Sequence, residues 1–65
     1  MTTTYNVDGL DEDGYTVVRR EAFSLKAAKA EIRLMLTDDS YTDIVRVMVF
    51  NDLTDECVLD QSVRT

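Results

Sequence analysis

Histidine and proline are absent from this chain, cysteine occurs once and glycine twice. The missing histidine removes the commonest general base and the commonest ligand of zinc, copper and iron. A single cysteine, Cys57, can form neither an internal disulfide nor a thiolate cluster, and it has no histidine to activate it as a nucleophile. Its neighbours Val58 and Leu59 suggest a packed strand thiol, and its solitude suits a reducing compartment. Without proline, and with so little glycine, no linker or low-complexity segment stands out. Gly9 and Gly14 are separated mostly by acids and make no phosphate-cradling loop. No apolar run nears the ~20 residues of a membrane span. The start, MTTTYNVDG, has neither the basic nor the apolar part of a signal peptide, so the expected location is the cytoplasm.

Positive charge is scarce as well. Seven Lys and Arg stand against thirteen Asp and Glu, a net charge of -6. Direct binding to nucleic acid or to an anionic membrane needs clustered cations and is not expected. An acidic balance favours solubility and basic partners instead. The stretch Asp8 to Gly14, DGLDEDG, invites comparison with a calcium loop. Setting Gly14 at the invariant glycine of an EF-hand puts Gly9 at the first ligand position and Arg20 at the last, so the motif fails. Paired carboxylates for hydrolysis need a cleft that so small a chain seldom provides. No catalytic residue, cofactor or metal is therefore expected, and the chain is not read as an enzyme.

What is present is a pattern. The 65 residues suffice for one domain, 1–65, whose core is small for its surface. From Ser24 to Leu36 the period is helical: Leu25, Ala28, Ile32, Met35 and Leu36 share one stripe, and Lys26, Lys29 and Arg33 fall mostly on another. Ser24 is a credible N-cap, and Asp38-Asp39-Ser40 ends the pattern near Thr37, two acids opposing the helix dipole. Before the helix, residues 3–10 and 15–23 read as strands joined by the turn Asp11-Glu12-Asp13-Gly14. After it, residues 44–50 form the most apolar strand, and the turn 51–55 leads to a last strand over 56–63.

This order is ββαββ, an α+β fold. A four-stranded antiparallel sheet in spatial order 2-1-3-4, with one helix on one face, needs only hairpins and a single crossover. Order 1-2-3-4 is the alternative. One helix covers one face. If Val45, Val47 and Val49 meet it, Ile44, Met48 and Phe50 face outward with Arg46 among them, either as an apolar contact surface or beneath the long side chains of Arg19 and Arg46.

The same topology gathers Asp8, Asp11, Glu12, Asp13, Asp38, Asp39 and Asp43 at one end. The expected site is therefore a partner-binding surface made of these acids, with Tyr41 or Ile44, Met48 and Phe50 as apolar anchors. In size, acidity and architecture the chain resembles the accessory inhibitors of phages and other mobile elements, including nucleic-acid mimics. That resemblance implies a protein partner with a basic, nucleic-acid-handling surface. A homodimer or assembly subunit pairing through the open sheet face is the second expectation.

Overall fold

The computed structural model describes residues 3–63; residues 1, 2, 64 and 65 of the expected domain lie outside them. Strand β1 (Tyr5–Leu10) is followed by β2 (Thr16–Ala22), α1 (Leu25–Thr37), a short 3-10 turn at Asp39–Tyr41, β3 (Arg46–Asn51) and β4 (Cys57–Ser62). The sheet order is β2-β1-β3-β4, antiparallel throughout. The expected α+β fold and its favoured strand order are what the chain adopts.

The first hairpin is closed by side chain and backbone together. Asp11 Oδ1 accepts from the amides of Asp13 at 3.0 Å and Tyr15 at 2.9 Å. Gly14 takes φ 86°, a conformation that a residue with a Cβ adopts only at a cost. Beyond this turn the ladder slips: Gly9 opposes Val18 and Leu10 opposes Thr16, so Val17 is an extra residue on β2. A second slip leaves Val58 extra on β4.

The helix begins where the sequence indicates. Ser24 Oγ accepts from the Ala27 amide at 3.0 Å, satisfying one orphan donor of the first turn. At the other end the Thr37 hydroxyl donates toward the carbonyls of Arg33 and Leu34, 3.0 and 3.1 Å away. Asp38 closes the helix and starts the next turn, its carboxylate accepting from the Ser40 amide at 2.9 Å. The acid that opposes one helix terminus thus caps the N-terminus of the following one.

The core lies between α1 and the sheet. Ala28, Ile32 and Met35 come from the helix, and Val7, Ala22, Val47 and Val49 from the strands. Leu36 packs against this cluster, whereas Leu25, expected on the same stripe, is 38% exposed. The helix rests chiefly on β1 and β2.

Ile44 corrects the expected outward face. It is completely buried, because it precedes β3 rather than belonging to it. Its amide follows the 3-10 turn and bonds the Tyr41 carbonyl at 3.4 Å, so strand alternation does not extend back to it. Its side chain occupies the space above Gly9: a Cβ there would stand 2.7 Å from Ile44 Cδ1 and 3.0 Å from Met35 Sδ.

Candidate protein-docking surface

The antiparallel order carries two acidic segments to the same end of the sheet. Residues 11–14 close the β1–β2 hairpin, and residues 38–43 join the end of α1 to β3. Their inner ends are brought alongside each other because Leu10, the last residue of β1, accepts at its carbonyl from the Val45 amide at 2.9 Å. Asp11, Glu12, Asp13, Asp38, Asp39 and Asp43 therefore share this end, and neither segment contains a Lys or Arg.

These carboxylates do not have equal roles. Those of Asp11 and Asp38 are committed to backbone amides within their own turns. Glu12, Asp13, Asp39 and Asp43 are exposed, and ion pairs among the described residues leave all four out. Tyr41, expected as an anchor, is half-buried and packs against the core. The aromatic most exposed here is one that the sequence reading placed in a strand: Tyr15, next to Gly14, is 72% exposed. Its position directly after the acidic turn, just outside β2, was the available signal.

Asp8 is a correction to the expected acidic end. It lies within β1 opposite Arg19 and Met48, on the sheet face away from the helix, and is 4% exposed. Arg19 Nε donates to its Oδ1 at 2.7 Å and Nη2 to its Oδ2 at 3.0 Å. A carboxylate so covered and so paired is already satisfied within the fold. The hydrogen bond and charge of Asp8 raise the Arg19 guanidinium further above its already high value.

Met48 and Phe50 lie on this same open face, both half-buried. In register, Met48 is flanked by Asp8 on β1 and Asp60 on β4, and Phe50 by Asn6 and Cys57. Arg46 forms a two-pronged pair with Asp60, Nε to Oδ1 at 2.6 Å. That hydrogen bond holds Asp60 below the usual carboxylate range. The open face is thus a mixture of ion pairs and half-covered apolar groups. Cys57, expected to be packed, is exposed on the edge strand, its thiol 3.3 Å from the Leu59 carbonyl.

A further concavity on this face is lined by Asn6, Asp8, Arg19, Phe50, Asp52 and Asp55, at the end opposite the acidic turns. Asn6 reaches Asp52 there, Nδ2 to Oδ1 at 2.9 Å. Asp55 sits at φ 59°, which Asp tolerates better than most residues, and its amide bonds the Asn51 carbonyl at 2.7 Å. Among the described residues no group of three or more His, Cys, Asp or Glu side chains is placed to hold a metal ion, and no helix is long and apolar enough to cross a membrane.

No family model matches this chain, and neither a curated protein nor a solved structure matches it.

Proposed function

We propose that the protein is a small, acidic, non-enzymatic binding module. It docks its acidic end on a basic surface of a nucleic-acid-handling protein and blocks that surface, as an accessory inhibitor of the phage or mobile-element kind does. The observation that carries this reading is the separation of charge. Glu12, Asp13, Asp39 and Asp43 stand exposed together at one end. The nearest cation in sequence, Arg46, is turned to Asp60, Arg19 is held by Asp8, and Arg20 shares a concavity with Glu31, Asp38 and Tyr41 at the border of this end.

Carboxylates fixed on tight turns can occupy the positions that phosphates take on a Lys/Arg surface. Such contacts steer association and weaken with salt. Tyr15 supplies a rigid amphipathic anchor beside them, of the residue type enriched at the centres of interfaces. Asp11 and Asp38 act through the backbone, holding the two turns in shape.

The test is affinity capture with the tagged protein from lysate of the cell that makes it or of that cell's host, at about 0.05 M and about 0.5 M salt. A basic nucleic-acid-handling protein retained at low salt, released at high salt, and lost by a Glu12→Gln/Asp13→Ser/Asp39→Asn/Asp43→Asn variant is the expected outcome. Adding the wild type to the purified target should then suppress its nucleic-acid binding. Equal capture by the variant, or an unaffected target, would overturn the proposal.

A further inference from the structure

Both edges of the sheet are open: among the described residues β2 pairs with β1 alone and β4 with β3 alone. On the open face one row across the four strands reads Arg19, Asp8, Met48, Asp60. The adjoining row on the helix side reads Arg20, Val7, Val49, Leu59. One edge thus presents two arginines and the other Asp60 beside Leu59. The Val63 amide bonds the Val45 carbonyl at 3.0 Å, so alternation along β4 turns the main chain of Leu59 and Gln61 toward β3 and that of Asp60 outward. Bonded and non-bonded pairs alternate along a row, which turns the main chain of Arg19 outward on the far edge as well. Beside β2, on the helix side, lies a concavity of about 270 Å³ lined by Arg20, Glu31, Leu34, Met35, Asp38 and Tyr41.

We infer that β4 of one copy pairs antiparallel with β2 of the next, so that the sheet continues from molecule to molecule with its rows in register. The strand directions allow it, because alternating directions over four strands leave β4 and β2 opposed. In this register Asp60 and the next copy's Arg19 exchange main-chain hydrogen bonds, and their side chains meet on the open face. Asp8 and Arg46 already hold these two groups in place, and both remain substantially exposed, so the signs alternate along the joined edges. On the helix side Leu59 and Gln61 come to lie beside Arg20 and Val18 of the next copy, next to its concavity. The helix rests chiefly on β1 and β2, which leaves Leu59 half-buried and Gln61 exposed to receive this cover. Successive helices stand four strand spacings apart, about 19 Å, well beyond the 8–10 Å or so at which packed helices would collide.

Like edges are poorer partners. Pairing β2 with β2 centres Arg19 or Arg20 on its own equivalent, and pairing β4 with β4 brings two Asp60 side chains close to the axis. The extra residues Val17 and Val58 confine regular pairing to Val18–Arg20 against Leu59–Gln61, which keeps the contact weak. Because the two surfaces are different, the association does not stop at two copies. It uses neither Glu12, Asp13, Asp39 nor Asp43, so it stands apart from the partner contact proposed above.

Sedimentation equilibrium up to roughly 1 mM protein is the test, at about 0.15 M salt, where a Debye length of about 8 Å screens the repulsion between copies of net charge -6. The average mass should rise from 7.4 kDa with concentration and show no plateau at twice that value. Leu59→Lys sets a cation against Arg20 of the next copy and should weaken association about tenfold. Adding Arg20→Glu to the same chain should restore it. On a Cys57→Ser background, a mixture of Leu59→Cys and Arg20→Cys should oxidise to the mixed dimer, whereas Arg20→Cys alone should not cross-link. Circular dichroism checks that each variant is folded. A monomer at every concentration, association indifferent to Leu59→Lys, or cross-linking of Arg20→Cys to itself would overturn the inference.

Discussion

Asp8 and Arg19 face each other across the β1–β2 ladder, and their burial is unequal: the Asp8 side chain is 6% exposed and that of Arg19 63%. The guanidinium donates to both oxygens of the carboxylate. Removing one partner is therefore not equivalent to removing the other. Arg19→Met leaves a buried carboxylate without its donors, and an unsatisfied buried group costs about 1–3 kcal/mol. Asp8→Asn leaves an arginine that water can still reach. Urea unfolding should rank Arg19→Met as less stable than Asp8→Asn, and Arg19→Met/Asp8→Leu should recover part of the loss. The reverse ranking would mean that the pair is not what satisfies Asp8.

Gly9 is the floor on which Ile44 rests. A methyl group there would press on Ile44 Cδ1 at 2.7 Å, and on Met35 Sδ and Val18 Cγ1 at 3.0 Å each, in a region where Ile44 is completely buried. Gly9→Ala should destabilise the fold by about 1–3 kcal/mol, the usual cost of overpacking. Ile44→Val deletes the closest of these atoms, so the double variant Gly9→Ala/Ile44→Val should be more stable than the sum of the two single changes predicts. Additive losses in a denaturant cycle would show that the two residues do not compete for this space.

Both residues mark where the sequence could and could not be read. The elements, the helix stripe and the strand order follow from local signals that agree: alternation in the strands, a 3.6-residue period in α1, and Asp-rich turns between them. Alternation extended back across the junction at Val45 puts Ile44 on the wrong face, because the 3-10 turn at Asp39–Tyr41 sets the chain direction there independently of β3. Gly9 inside a strand was the overlooked signal, since a glycine there often marks a close approach. The burial of Asp8 depends on the hairpin register that opposes it to Arg19, a pairing that β-propensity alone does not specify. The acidic turns were legible because contiguous acids next to a glycine need only topology to bring them together. The structural roles of Asp11 and Asp38 required the positions of backbone amides.

The N-cap offers a test confined to one hydrogen bond. Ser24 Oγ accepts from the Ala27 amide, and position 27 carries no glutamate to complete a reciprocal pair. Ser24→Ala should cost about 1 kcal/mol. In a domain of this size that lowers Tm by roughly 4–8 °C. Ser24→Asp, which keeps an acceptor and places a negative charge at the helix N-terminus, should restore or exceed wild-type stability. Equal melting of the serine and alanine proteins would show that water caps the helix just as well.

The Arg46–Asp60 pair on the open face gives the pH dependence a sign. The hydrogen bond from Arg46, aided by its charge and partly offset by desolvation, holds Asp60 below the usual carboxylate range in the folded protein. In the unfolded chain the group returns to its ordinary value of about 3.9. The unfolded state therefore binds the proton more readily over that interval. The stability contributed by the pair is complete above about pH 4 and is lost as pH falls through the depressed folded value. Both side chains are substantially exposed, 50% for Arg46 and 39% for Asp60, so the effect is small and salt-sensitive. Thermal unfolding of wild type and Asp60→Ala from neutral pH down to about pH 2 should give Tm curves that are separated near neutrality and converge in acid. Curves that stay parallel throughout would show that Asp60 acts by packing, with its charge immaterial.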